Sequence, residues 1–312
     1  MTVICLTNQD NNLLKYLVDC DVEMDLKMMI VPDRLLKAVN NLHLCEEGYI
    51  LIRDVCIKDT KNIPTPPDNK QHIGERTNIA KVQGFINGLL GEMVAYEAEG
   101  EGYLYQDMVP NRALANTQTS LSSGVELEVH TEQAFSDLKP DYLSLACIRG
   151  NPEAKTYIFH KNTLIKNMSR EKVEKLYEPL WMIGVDQSFK MDKQFEFVNG
   201  DVRGPIPIID RKTGYLVFDQ DLMYGITEDA EELKREIINL YRAYKREIVL
   251  EEGDILIIDN RHMVHGRSPF KPRYDGKDRF IVRSFVMTHD NYKKASNYAM
   301  MKKRRLIDAI YS

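Results

Sequence analysis

A jelly roll of two antiparallel sheets with flanking helices is expected from three features of this 312-residue chain. Short segments of alternating polarity recur through its second quarter and return in its last. Helix-like segments gather before and within them instead of alternating one for one with strands. No fixed-period repeat or low-complexity tract offers a solenoid instead. Strands on either side of a helical insertion must then find each other, and a double-sheet roll lets them do so around an interior that can hold a small site. The expectation is mainly β, one domain over 1–312: a helical N-terminal part to about 90, the core over about 91–290, a helical insertion at about 165–250 forming a lid, and a C-terminal helix over about 291–312.

Each element has a local reason. In NLLKYLV and DRLLKAVNNL, apolar residues recur at three- and four-residue spacing, the second run behind Pro32 and Asp33, which suit a helix start. GYILIRDV reads as a strand. KDTKNIPTPPDNKQH, polar and with three prolines, reads as a connecting loop. ERTNIAKVQGFINGLLGEM is helical, and GYLYQDMV, VELEVH, YLSLACIRG and KTYIFH are strand-like. The insertion holds SREKVEKLYEPLW, with Ser169 as N-cap, and TEDAEELKREIINLYRAYKREI, where Thr227 precedes an acidic first turn. Strands return in DILIID and RFIVRSFVMT, before the basic NYKKASNYAMMKKRRLIDAIYS.

A hydrophobic content of 43% supplies an ordinary soluble core. A net charge of -5 with interspersed signs gives no broad cationic surface, so neither nucleic acid nor a membrane is the expected partner and a small molecule is. The KKRRL run, without aromatics in a groove, reads as a solvated helix face. Cys5, Cys20, Cys45, Cys56 and Cys147 are odd in number and lack CxxC pairs, which argues against zinc ribbons and secreted disulfide scaffolds. No apolar stretch approaches the roughly 20 residues that span a bilayer. A cytoplasmic location is expected; oligomeric state is not legible.

The chemistry concentrates in two places. In VELEVHTEQAF, Glu126, Glu128, His130 and Glu132 share one parity, so on a strand three carboxylates and an imidazole line one face. Such a face needs a positive partner. In DILIIDNRHMVHGRSPF, His265 follows an apolar strand, with His262 as a rival. Two histidines and a carboxylate make a facial triad that leaves the other side of an octahedral Fe(II) open. The same donors also suit zinc and thus a hydrolase.

HTEQAFSDLKPDYLSLACIRG and DNRHMVHGRSPFKPRYDGKDRFIVRSF, in that order, resemble the clavaminate synthase-like Fe(II)/2-oxoglutarate dioxygenases. The likeness is clearest from TSLSSGVELEVH onward. It implies a double-stranded β-helix (jelly-roll) core, Fe(II), molecular oxygen and 2-oxoglutarate, which is converted to succinate and carbon dioxide as a substrate C–H bond is hydroxylated. By motif it implies His130, Glu132 and His265 as iron ligands, and it sets His262 aside because the HGR context belongs to His265. Glu132 argues against a halogenase, which needs that position open.

The resemblance also makes Arg279 the cosubstrate arginine, against a plain surface salt bridge with Asp275 or Asp278, and Thr156 a hydroxyl donor to the same molecule. Arg283, four residues on and so on the same strand face, would bind the α-carboxylate of an amino acid, against a sheet-face ion pair. Asp219 and Asp221 in YLVFDQDLMYG resemble lid carboxylates that hold a cationic side chain; the plain reading is a turn cap. Glu128 and Ser120 complete the substrate candidates. The expected activity is hydroxylation of a free basic L-amino acid, lysine first, at C3 or C4, with arginine as the alternative and a jelly-roll binding module without turnover as the competing class.

Overall fold

The apolar runs become strands whose residues alternate between two cores. The computed structural model describes residues 3–19, 31–55, 63–186, 202–297, 301–302 and 306–307. In chain order its strands are β1 Val3–Cys5, β2 Tyr49–Arg53, β3 Glu92–Tyr96, β4 Gln106–Met108, β5 Leu127–His130, β6 Tyr142–Arg149, β7 Lys155–His160 and β8 Trp181–Gly184. There follow β9 Val202–Ile206, β10 Met223–Gly225, β11 Arg246–Val249, β12 Ile255–Asp259, β13 Met263–Arg267, β14 Phe280–Met287, β15 Met301–Lys302 and β16 Leu306–Ile307.

The large sheet runs β1-β2-β12-β6-β14-β3-β16-β15, with β4 also on β14, and the small sheet runs β11-β7-β13-β5. On β6, Leu143, Leu145 and Cys147 face the core between the sheets, while Tyr142, Ala146 and Ile148 face the helices behind. The parity continues on β14, where Ile281, Phe285 and Met287 point between the sheets and Phe280, Val282 and Val286 point away. Arg283 therefore leaves β14 toward the interior of the roll. Both faces of the large sheet are covered, which is why all eight residues of β14 are buried.

Helix Asn78–Leu90 seals the back of this sheet. Thr77 caps it by accepting from Ala80 N, and Ile79 and Ile86 are fully buried beneath it, each worth about 1.5–3 kcal/mol. Gln83 on the same face donates to Ser144 O, Ser144 Oγ and Val282 O, which fixes the helix across β6 and β14. The caps at Ser169 and Thr227 form as the sequence indicates.

Three expectations need correction. The boundary near 91 does not separate helices from core, because β2 lies inside the large sheet between β1 and β12. The insertion at 165–250 is not wholly helical: β10-β8-β9 form a three-stranded sheet, since Trp181, Ile183 and Val185 alternate into the core at full burial and call for a strand. The C-terminal segment is not one helix: among the described residues the helix runs His289–Asn297, and Leu306–Ile307 pairs parallel to β3, burying Ile307. Residues 187–201 of the insertion lie outside the described residues. No helix among the described residues is long and apolar enough to cross a membrane.

His160 ends β7 and caps helix Lys161–Lys166, its Nδ1 accepting from Asn162 N at 3.0 Å. Burial pushes it from about 6.5 to about 4. Between those values the unfolded chain takes up a proton that the folded chain refuses, so stability is lost as pH falls through the window, by about 3 kcal/mol in all. Denaturant unfolding at pH 7 and pH 4 checks this: His160→Asn, which keeps a cap acceptor, is expected to show a smaller loss than wild type, and equal losses would contradict it.

Candidate active site

The site forms where β5 and β13 pair. His265 lies opposite His130, but Arg267 lies opposite Leu127, so two residues of β13 span three of β5 and the register carries a bulge. The bulge corrects the parity expected for VELEVH. Leu127 turns to the interior with His130, whereas Glu126 stays on the surface near Lys245 and Glu128 does not line the cavity. Gly266 is required here: a Cβ at that position would stand 2.7 Å from Leu127 O.

β5 stops at His130, and the next two residues turn inward under backbone control. Thr131 N donates to Phe218 O at 2.7 Å. Glu132 N donates to Asn260 Oδ1 at 2.8 Å, and Asn260 Nδ2 returns to Glu132 O at 3.1 Å and to Pro140 O at 2.8 Å. Asn260 thus clamps the Glu132 backbone from the β12–β13 turn.

The ligand-capable atoms of His130, Glu132 and His265 lie within 4.8 Å of one another, the one such cluster of His, Cys, Asp or Glu found among the described residues. Glu132 Oε2 is 3.1 Å from His265 Nε2 and 4.0 Å from His130 Nε2. His130 Nδ1 donates to Glu128 O at 2.7 Å, which leaves Nε2 with its lone pair toward the cluster. Burial, then the neighbouring His130, pushes the His265 imidazole down, with Glu132 opposing. Burial pushes the Glu132 carboxyl up, but Arg283 and His265 outweigh it and hold it at about 2. The rival His262 turns away to Asp259, at 3.2 Å.

A cavity opens beside the cluster, and Ser120, Thr156, Arg279 and Arg283 all line it. Arg283 donates from Nε to Gln106 Oε1 at 3.1 Å and from Nη1 to Glu132 Oε1 at 3.0 Å, and its Nη2 reaches Gln106 and Glu99. The positive partner that the acidic face demanded is therefore Arg283. Arg279 differs. It is buried with no carboxylate partner among the described residues, because Asp278 accepts the backbone N–H groups of Arg273 and Tyr274 and Asp275 pairs with Arg273. Burial pushes Arg279 down to about 10. Cys147 lies nearby, its thiol raised by burial and so inert, as the sequence suggested.

The lid carboxylates do not reach the cavity wall. Asp219 bridges to His130 on the side of β5 away from β13, and its Oδ1 accepts Asp221 N at 2.9 Å and Leu222 N at 2.7 Å, a turn cap. Burial raises the Asp219 carboxyl, with His130 opposing. Asp221 is exposed. Together with Glu128, whose carboxyl is raised by burial and then by Asp221, they form an acidic group behind His130.

The model of the taurine catabolism dioxygenase TauD, TfdA family matches residues 207–285. An L-lysine 3-hydroxylase of Catenulispora acidiphila is 44% identical over 269 residues, covering 85% of this chain and 74% of that protein. The chain belongs to the clavaminate synthase-like Fe(II)/2-oxoglutarate-dependent dioxygenases. Clavaminate synthase 2 of Streptomyces clavuligerus is 28% identical over 84% of this dioxygenase and 81% of its own length. The crystal structure of an asparagine oxygenase in complex with Fe(II), 3-hydroxyasparagine and succinate shares the fold, with a TM-score of 0.85 at 24% identity over 99% of this chain and 100% of that one.

The donor set fits a dioxygenase iron site: two imidazole nitrogens and a carboxylate on one side, with the cavity on the other. Sequence reasoning missed Asn260, Gln106 and Glu99. Asn260 follows a fully buried strand directly, a signal that its amide is needed inside. Glu99 sits in EAEGEG and carries no such signal, since acidic residues among glycines read as surface.

Proposed function

We propose that this dioxygenase hydroxylates free L-lysine at C3, with His130, Glu132 and His265 as the iron ligands. The observation that carries the substrate is the 44% identity with an L-lysine 3-hydroxylase over most of both chains. Iron, 2-oxoglutarate and oxygen, when bound, supply the oxidant for a C–H bond.

The chain's own residues position and insulate. Arg279 offers a buried, uncompensated cation to the distal carboxylate of the cosubstrate, with the Thr156 hydroxyl beside it. Arg283 takes the substrate's α-carboxylate and is already oriented by Gln106 and Glu99; Ser120 adds a hydroxyl at the same wall. Asp219, Asp221 and Glu128, grouped behind His130 and outside the cavity wall, act on the side-chain ammonium through their field and not by direct contact. Met108, Leu143, Leu145 and Ile281 give the cavity an apolar wall that keeps water from the reacting carbon. The free thiols of Cys5, Cys45 and Cys147 accord with a cytoplasmic enzyme.

Mass spectrometry after incubation with Fe(II), ascorbate, 2-oxoglutarate and either L-lysine or L-arginine tests the proposal. A gain of one oxygen on lysine, placed at C3 by fragmentation, is expected. Turnover of arginine alone would reassign the substrate, and iron binding without oxygen uptake on any free amino acid would favour a binding module.

A further inference from the structure

Arg267 occupies the same cavity wall as Arg279 and Thr156. It lies two residues beyond His265 on β13, so the two side chains leave the same strand face about 7 Å apart. It pairs in register with Thr156 on β7, and Arg267, Thr156 and Arg279 all line the cavity. The side chain is deeply buried, at 5% exposure. Nη1 donates to Ser122 O at 2.6 Å and Nη2 to Ser122 Oγ at 2.9 Å, both neutral acceptors, while Nε has no hydrogen-bond partner. Phe270 packs against the guanidinium, 5.1 Å from its ring centre. No described carboxylate pairs with Arg267, and Arg279 lines the same cavity.

Two buried cations that repel each other, with no anion between them, are costly unless an anionic ligand completes the site. A role limited to tying the Ser122 loop to β13 accounts for Nη1 and Nη2. It leaves Nε unexplained, and it leaves unexplained a charged donor beside Arg279 where a neutral one would serve.

We propose that Arg267 is a second cationic anchor for the distal carboxylate of 2-oxoglutarate, acting with Arg279 and Thr156 to make the pocket select a 2-oxo acid that carries a second carboxylate. The step from His265 to Arg267 along β13 provides the length: one end of an extended five-carbon diacid lies at the histidine and the other at the arginine. This rests on the cosubstrate occupying the cavity as proposed above.

The test is anaerobic calorimetry on iron-loaded protein with 2-oxoglutarate and with 2-oxopentanoate, which has the same chain length and lacks the distal carboxylate. Wild type is expected to prefer 2-oxoglutarate. Arg267→Gln is expected to weaken 2-oxoglutarate roughly tenfold or more, the scale of one charge-assisted hydrogen bond, while iron stoichiometry and 2-oxopentanoate affinity stay near wild type. Arg267→Lys is expected to recover part of the preference, and it decides alone if the neutral variant does not fold, because its shorter, unforked cation should still lose several-fold. Wild-type preference in the variants that fold overturns the inference. Wild-type protein that takes up iron but neither 2-oxo acid overturns the proposed function instead.

Discussion

His265→Ala is expected to remain folded, to lose tight iron binding and to lose hydroxylation by on the order of 10³-fold or more, which is at least about 4 kcal/mol of barrier. The fold survives because the carboxylate left behind keeps a counter-charge: Glu132 Oε1 still pairs with Arg283 Nη1 at 3.0 Å. The neighbouring His262→Ala is the control. Its ring faces Asp259 outside the cluster, so iron content and turnover should stay within about twofold of wild type. Iron content by elemental analysis, alongside circular dichroism and oxygen uptake, separates loss of the metal from loss of the fold. Undiminished hydroxylation by His265→Ala would remove the triad from the account.

Arg283→Met should have a second, different signature. Arg283 is the shared cation of Glu99 and Glu132, and burial alone would push both carboxyls up. Removing one member of a buried charge network leaves uncompensated anions, at about 3–5 kcal/mol. Both stability and activity should therefore fall, and thermal unfolding with steady-state turnover would measure the two losses. The double variant Arg283→Met, Glu99→Gln removes one orphaned anion along with the cation, so part of the stability should return while activity does not. Recovery of turnover together with stability would mean that Arg283 has only a structural task.

The two-faced strands were the legible part of the fold, because the parity of Leu143, Leu145 and Cys147 against Tyr142, Ala146 and Ile148 is a property of sequence alone. The spacing of His130 and Glu132, with His265 behind an apolar strand, was equally visible. What escaped was set by pairing between distant segments. The bulge opposite His265 that brings Leu127 inward depends on β13, more than 130 residues later, and nothing in VELEVH announces it. Glu99 reaches Arg283 only because β3 and β4 both lie on β14. Leu306–Ile307 looked helical beside basic residues, and became a strand because the edge of β3 had unpaired backbone groups to offer. Arg267 lay within reach of reasoning: it shares parity with His265, and the step of two that sets a ligand also sets its neighbour.

We propose that His130, Glu132 and His265 grip one ferrous ion from one side. Crystals grown without oxygen in the presence of Fe(II) and 2-oxoglutarate, with diffraction measured across the iron edge, test it most directly. A single anomalous peak at bonding distance from His130 Nε2, a Glu132 oxygen and His265 Nε2, with the cosubstrate completing its cavity side, is the expected map. A peak elsewhere, or one that any of the three side chains does not touch, would contradict it.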